Sequence, residues 1–279
     1  MTTKSALAGK TILMSGGSRG IGLAIAVRTA HAGANIAFIA KTDVPDPRLP
    51  GTIHSAAAEI EAAGGRALPI LGDIRDFDTV ERAALLTVEH FGSIDIVVNN
   101  ASAIDLHRVG ELAPKRFNLL LDVNVRGTYQ LITAALPYLQ RSPAAQVMTL
   151  SPPLNPDPRW LAEHAPYTLS KFGMSMLTLG LAQQHEPRDL AAYCLWPETL
   201  IATAAVQNVV AGDDGMKAAR TPQIMADAAY LLLVAEPEAV TGRCHIDADV
   251  LRSAGSGNLS SYAAVPGTSD ADLKPDLFI

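Results

Sequence analysis

Cysteine is scarce in this chain: Cys194 and Cys244 are the only two among 279 residues. Both fall in predicted buried strands and read as reduced core thiols, which points to a reducing compartment. Aromatic residues make up 5% of the chain and hydrophobic residues 48%, so the core is expected to be aliphatic. Basic charge is in deficit, with 22 Lys and Arg against 28 Asp and Glu and a net charge of −6. That balance argues against nucleic acid as a main partner. No apolar run reaches the roughly 20 residues of a membrane span. The first residues lack a charged-then-apolar leader, and Leu277-Phe278-Ile279 matches no address tag. No Cys, His or carboxylate set has metal-ligand spacing, so no metal is implied. The expectation is a soluble cytoplasmic protein.

What the sequence does have is a glycine-rich turn. Thr11 to Met14 reads as a short apolar strand and runs into Ser15-Gly16-Gly17-Ser18-Arg19-Gly20-Ile21-Gly22, which opens an apolar-periodic helix. Gly16 lets the chain bend, Gly20 lets backbone approach a ligand, and Gly22 lets helix pack on strand. Free amides at a helix N-terminus attract an anion, and the pyrophosphate of a dinucleotide suits this geometry best. The G-x-x-x-G-x-G spacing differs from the ordinary G-x-G-x-x-G fingerprint and lacks the Gly-Lys-Ser/Thr of a triphosphate loop.

Six further short apolar runs follow, at 35–40, 67–71, 94–98, 147–150, 191–195 and 243–246, with helices predicted between them. The spacing predicts helices over 52–63, 76–91, 114–139, 167–184, 202–210 and 221–235. Two proline-rich stretches, 41–51 and 152–158, read as loops, and 212–215 reads as a polar hinge. Alternation of this kind describes an α/β fold: a doubly wound parallel sheet of Rossmann type, with seven strands and helices on both faces. Residues 1–279 are expected to form one dinucleotide-binding domain, with 251–279 a tail on the surface or against a neighbouring subunit. Ligands of such sheets bind beyond the carboxyl ends of the strands.

Read together, the glycine turn, Asp73, Asn99-Asn100-Ala101, Asn124, Tyr167-Thr168-Leu169-Ser170-Lys171 and Pro197 resemble the short-chain dehydrogenase/reductase family. They fall in family order over nearly the whole chain. The stretches 41–65, Ser151-Pro152-Pro153-Leu154-Asn155 and Leu195-Trp196-Pro197-Glu198-Thr199 are similar to its hydroxysteroid dehydrogenase-like (type 2) branch. Eukaryotic members of that branch carry an added sterol-carrier domain, which this chain is expected to end before. The branch name is no argument for a steroid substrate.

The resemblance implies that Tyr167 exchanges a proton with a carbonyl oxygen and that Lys171, one helical turn on, lowers its pKa. Asn124 would sit at a helix distortion and hold a water, and Ser151 would stand for the hydroxyl that polarises the carbonyl. Gly16, Gly17, Ser18, Arg19, Gly20, Ile21, Gly22, Lys41, Asp73, Ile74, Asn99, Ala101, Tyr167, Lys171, Pro197 and Ile201 would hold the cofactor. Where the family places an acid for NAD, this chain has Ala40 followed by Lys41. With Arg19, two cations would flank the 2′-phosphate of NADP(H), with Asp43 close by as an opposing charge.

The departure from the family lies at strand five. Ser151 takes the first place of the usual Ser-Ser pair and Pro152 the second, and proline has neither hydroxyl nor amide. Ser151, Asn155 or an ordered water are the candidate replacements. Glu198 stands where a glycine commonly follows Pro197. His107 and His164 fall in loops near the expected site; they read as plain surface residues, with an acid/base role as the alternative. The pocket is expected among the 103–110 loop, the 151–164 loop and a 199–212 lid, with Trp160, Leu154, Leu200 and Ile201 giving an apolar wall. The expected function is an NADP(H)-dependent oxidoreductase interconverting a carbonyl and a secondary alcohol on an apolar, lipid-like small molecule. The alternative is a catalytically weak NADP-binding sensor or assembly protein. The family implies a homo-oligomer, dimer or tetramer, built on the helices starting near Pro114 and Tyr167.

Overall fold

The computed structural model describes residues 6–46 and 51–279; positions 47–50 of the first proline-rich loop lie outside these. The chain runs β1 (Thr11–Ser15), α1 (Gly20–His31), β2 (Asn35–Ala40), α2 (Ile53–Ala62), β3 (Arg66–Leu71), α3 (Phe77–Phe91) and β4 (Ile96–Asn99). It continues through α4 (Pro114–Leu120), a π turn (Leu121–Arg126), α5 (Gly127–Leu139), β5 (Ala145–Leu150), α6 (Pro158–Ala182) and β6 (Leu190–Trp196). A second π turn (Val206–Val210) precedes α7 (Gly212–Lys217), α8 (Gln223–Leu233), α9 (Pro237–Val240), β7 (Cys244–Ile246) and α10 (Asp247–Ser253). All strand pairs are parallel and the order is β3-β2-β1-β4-β5-β6-β7, the doubly wound sheet expected. The order reverses between β1 and β4, and the crevice at that reversal is where such sheets bind ligands.

Alternation along each strand assigns the two faces. Ile12, Met14, Ile36 and Phe38 pack under α1, α2, α8 and α10. Leu13, Ala37, Val97 and Val147 pack under α3, α5 and α6. Every residue of β1, β5 and β6 is buried, as strands covered on both sides must be.

Local chemistry accounts for the boundaries. Thr52 and Ser55 form a reciprocal capping box at the start of α2, and Gly92, at φ 92°, ends α3 in the left-handed conformation. Helix α6 begins nine residues before Tyr167: Pro158 takes its first position and the Asp157 carboxylate accepts from the Arg159 N–H at 2.9 Å. Pro166 removes a helical donor, and the break shows two residues earlier as a kink at His164 (φ −143°, ψ 34°). The stretch expected as a hinge at 212–215 is the start of α7. Asp213 and Asp214 complement the helix dipole in its first turn.

Residues 251–279, expected on the surface or against a neighbour, return across the carboxyl ends of the sheet. Lys274 O accepts from the Leu200 N–H at 2.9 Å, the Asp276 N–H donates to Glu198 O at 3.0 Å, and Thr199 bridges Pro275 in antiparallel sense. A strap of residues 274–279 is thereby laid along the segment that leaves β6, and Phe278 is 1% exposed. Among the described residues no helix is long and apolar enough to cross a membrane.

Candidate active site

The carboxyl ends of β1, β2, β4, β5 and β6 open into one cavity of about 1150 Å³. At its floor the glycine turn is held by β4: the Asn100 side-chain amide donates to Gly16 O at 2.8 Å, and the Asn100 and Ala101 N–H groups donate to Ser15 Oγ at 3.1 Å. Gly16 (φ 74°) and Gly20 (φ 56°) adopt the left-handed conformation that glycine favours. A Cβ on Gly22 would collide with the Gly16 carbonyl and the Asn100 amide, and one on Gly17 would press on Phe38. The glycines of the motif therefore divide. Gly16 and Gly20 face the cavity with Ser18, Arg19 and Ile21, while Gly17 and Gly22 serve packing behind it.

Arg19, Lys41, Thr42, Gly51 and Asp73 form one end. The Arg19 guanidinium donates to Thr42 Oγ1 at 2.6 Å and to Gly51 O at 2.9 Å. Burial lowers its pKa, with Asp46 opposing. Lys41 reaches Asp73 at 3.7 Å. Asp73 is chiefly engaged by Arg75, whose guanidinium donates at 2.6 and 3.0 Å and holds the carboxylate below its ordinary range. Asp43 pairs with His54 at 2.6 Å. Ile74, Ala101, Pro197 and Ile201 line the same cavity. Asn99 does not: its amide donates inward to Thr149 Oγ1 at 3.1 Å, and Asn100 is the asparagine on the wall.

Tyr167 and Lys171 stand at the other end, with Ser102, Ala103, Trp196, Asp276 and Leu277. The Lys171 ammonium donates to Leu150 O at 2.6 Å and lies 5.0 Å from the centre of the Trp196 ring. Burial pushes its pKa down to about 7, with Cys194 and Asp276 opposing. The lowering of Tyr167 by Lys171 that the four-residue spacing predicts is not what the folded chain has. Burial raises the phenol, Asp276 raises it further, and Ser102 is the group that lowers it. Desolvation dominates here, and Nζ is turned toward the end of β5.

Asn124 lies in the π turn, fully buried and off the cavity wall. Its Oδ1 accepts from the Ala103 N–H at 2.7 Å, and its Nδ2 lies 3.0 Å from Ala103 O and 2.9 Å from Ser170 Oγ. It clamps the loop after β4 to the helix that carries Tyr167. Ser151 is also off the wall: it is fully buried, beside the Cys194 thiol. Trp160 and Leu154 do not line the cavity either. The strap stands between, with Trp160 packed on Phe278 at 5.5 Å and Leu154 exposed.

Residues missed from the sequence are Asn100, Ser102, Asp276, Leu277 and Phe278. Ser102 directly follows the Asn-Asn-Ala motif, and its place there is a usable signal. The strap residues carry no local pattern. Phe278 stacks on Tyr167 at 6.2 Å, the Trp196 indole N–H donates to Leu277 O at 2.8 Å, and burial pushes the Asp276 carboxyl up to about 7. Glu198 faces away from the cavity and joins Arg220 and Arg252, each at 2.7 Å.

Residues 10–214 match the family model described as short chain dehydrogenase. Hydroxysteroid dehydrogenase-like protein 2 of Xenopus tropicalis is 46% identical over 98% of this chain, which spans 64% of that protein's length. A short chain dehydrogenase structure from Mycobacterium thermoresistibile superposes with a TM-score of 0.90 at 48% identity, covering 98% of this chain and 96% of that one. One from Burkholderia cenocepacia, in complex with NADP, gives 0.74 at 27% identity over 87% of this chain and 97% of its own.

Proposed function

This chain belongs to the short chain dehydrogenase family, in its hydroxysteroid dehydrogenase-like branch, and we propose that it is an NADP(H)-dependent oxidoreductase interconverting a carbonyl and a secondary alcohol. One observation carries the reading: a single cavity has a cationic end at Arg19 and Lys41 and a buried tyrosine–lysine pair at the other. The glycine turn fits a dinucleotide, because Gly22 leaves no room for a side chain and Gly16 and Gly20 bring bare backbone to the wall. NADP(H), when bound, supplies or accepts hydride.

The protein's own groups do the rest. Arg19, Lys41 and Thr42 bind the 2′-phosphate, while Ile74 and Ala101 border the nucleoside. Tyr167 gives its Oη proton to the carbonyl oxygen and takes one back in alcohol oxidation. Lys171, as the family resemblance implies, holds the ribose hydroxyls. Trp196 and Leu277 keep water from the reacting end. The wall formed by Ile104, Leu200, Val206, Val210 and Leu277 suits an apolar, lipid-like substrate. Exposed Tyr129 on α5, with Leu169 and Met176 on α6, supports a homo-oligomer assembled through those helices.

The cofactor assignment is tested by Lys41→Asp. A charge-assisted hydrogen bond is worth roughly 1.5–3 kcal/mol, so the variant should bind NADPH about ten- to a hundredfold more weakly and leave NADH nearly unchanged. Equal losses for both would overturn it. Activity is tested by Tyr167→Phe, which should lower turnover of carbonyl probes by about 10²–10⁴. A protein that binds NADPH yet reduces no probe above this variant is the sensor or assembly protein instead.

A further inference from the structure

Carbonyl reduction needs donors aimed at the oxygen as negative charge develops there, and Tyr167 supplies one. The loop after β5 supplies no second. The Ser151 hydroxyl is fully buried off the cavity wall, without a hydrogen-bond partner among the described residues. Pro152 has no donor, and its carbonyl accepts from Ser175 Oγ at 2.6 Å. Asn155 is spent on the strap: its Nδ2 donates to Phe278 O at 3.1 Å, and its Oδ1 accepts from the Asp157 N–H at 3.1 Å.

The opposite wall does supply one. Resting on the oxidoreductase reading above, we propose that Ser102 is a catalytic residue whose hydroxyl donates a hydrogen bond to the substrate carbonyl oxygen beside Tyr167 Oη. The second donor would then come from the loop after β4 rather than the loop after β5.

Ser102 shares the cavity wall with Tyr167 and Lys171 and is exposed to it. Its position is fixed by the clamp already described. Asn124 holds both backbone groups of Ala103, the next residue, and reaches Ser170, whose Oγ donates to Tyr167 O at 2.8 Å. One buried asparagine therefore sets the loop of Ser102 and the helical turn of Tyr167 against each other. The hydroxyl itself is lightly held, by a 3.2 Å bond to Ala103 O, and is free to rotate toward a better acceptor. Ser102 also opposes the rise that burial and Asp276 impose on the phenol, as a donor directed at the same oxygen would.

Asp276 is the competing polar group on this wall. Ionised, it is acceptor-only and would repel the developing oxyanion, and its Oδ1 accepts from the Leu277 N–H at 2.6 Å. As hydride reaches the carbonyl carbon, the C=O π pair moves to oxygen, and the Tyr167 O–H breaks to give the alcohol and a phenolate. The Ser102 O–H bond stays intact throughout, and the phenolate regains its proton from solvent.

The test compares wild type, Ser102→Ala and Ser102→Thr with NADPH and para-nitrobenzaldehyde, phenanthrenequinone and nonanal. Removing an oxyanion donor costs about 10²–10³ in kcat. Ser102→Ala should lose that much while binding NADPH as wild type does, and Ser102→Thr should stay within about tenfold of wild type. The infrared carbonyl band of para-nitrobenzaldehyde, bound beside NADP⁺ without turnover, gives a second readout. It should lie at lower frequency in wild type and Ser102→Thr than in Ser102→Ala. Wild-type turnover in Ser102→Ala, or a band that does not move, overturns the role of Ser102 and leaves the oxidoreductase reading intact. A wild type that binds NADPH and reduces none of the probes overturns both.

Discussion

Asp276 and Lys171 illustrate how burial sets charge at single residues. Burial pushes the Asp276 carboxyl up from 3.8 to about 7, with Asp247 adding repulsion and Lys171 opposing. Burial brings Lys171 down from 10.5 to about 7. A carboxyl raised on folding binds its proton more tightly in the folded chain. Its cost to stability is absent below about pH 4 and complete above about pH 7. A lysine lowered on folding behaves oppositely: its cost is complete below about pH 7 and gone above about pH 10.5. Asp276→Asn removes the first of these. Relative to wild type the variant should gain stability as pH rises from about 4 to 7, by about 2 kcal/mol once screening through the open cavity is allowed for. Denaturant melts of both proteins across that range measure it, and parallel curves would show that the carboxyl is not desolvated as described.

At the scale of elements, the same change, Gly to Ala, should have opposite signs at two helices. In α1 a Cβ on Gly22 meets the Gly16 carbonyl and the Asn100 amide. Gly22→Ala should cost roughly 1–3 kcal/mol as overpacking does and weaken NADPH binding, because the turn must shift. In α6 a Cβ on Gly180 meets nothing within 4 Å. Gly180→Ala should gain roughly 0.5–1 kcal/mol from helix propensity. Thermal melts with and without NADPH separate the two; like signs would refute the packing argument.

The contrast also marks what was legible in the sequence. The alternation of strands with helices, the glycine turn and the Tyr167–Lys171 spacing are carried by neighbours in sequence, so local pattern reveals them. The start of α6 was hidden because Pro158 reads as a breaker unless Asp157 is seen to cap it. Helix α7 was hidden because Gly212 and Gly215 read as a hinge, whereas a Cβ on Gly215 would collide with Ala211. Ser151 is given its role by the family resemblance, and the fold buries it off the cavity wall.

At the scale of the whole molecule, the strap joins distant parts of the chain over the reacting end of the cavity. Phe278 is the hub of its aromatic cluster: Trp160 lies 5.5 Å away, Phe172 5.4 Å, Trp196 5.9 Å and Tyr167 6.2 Å. It is also the non-glycine residue with positive φ, 74°, among those described, a conformation that costs roughly 1–3 kcal/mol and persists where its surroundings over-determine it. Packing of the ring offsets much of that strain, so the end of the strap should come away when the ring is removed. The two tryptophans of the chain, Trp160 and Trp196, both touch this ring and make the event visible. In Phe278→Ala, indole emission should shift to the red and become more readily quenched by acrylamide, since Trp196 loses both the ring and its Leu277 carbonyl. Burying a phenylalanine and then deleting it ordinarily costs about 3–5 kcal/mol. The global loss should fall short of that, because a terminal strap joined to the rest by a few hydrogen bonds and one ring opens locally before the sheet unfolds. Unchanged emission together with a full global loss would mean that the strap unfolds only with the sheet. The red shift with a small loss would mean that access to Tyr167 is governed by six residues whose opening the core does not feel.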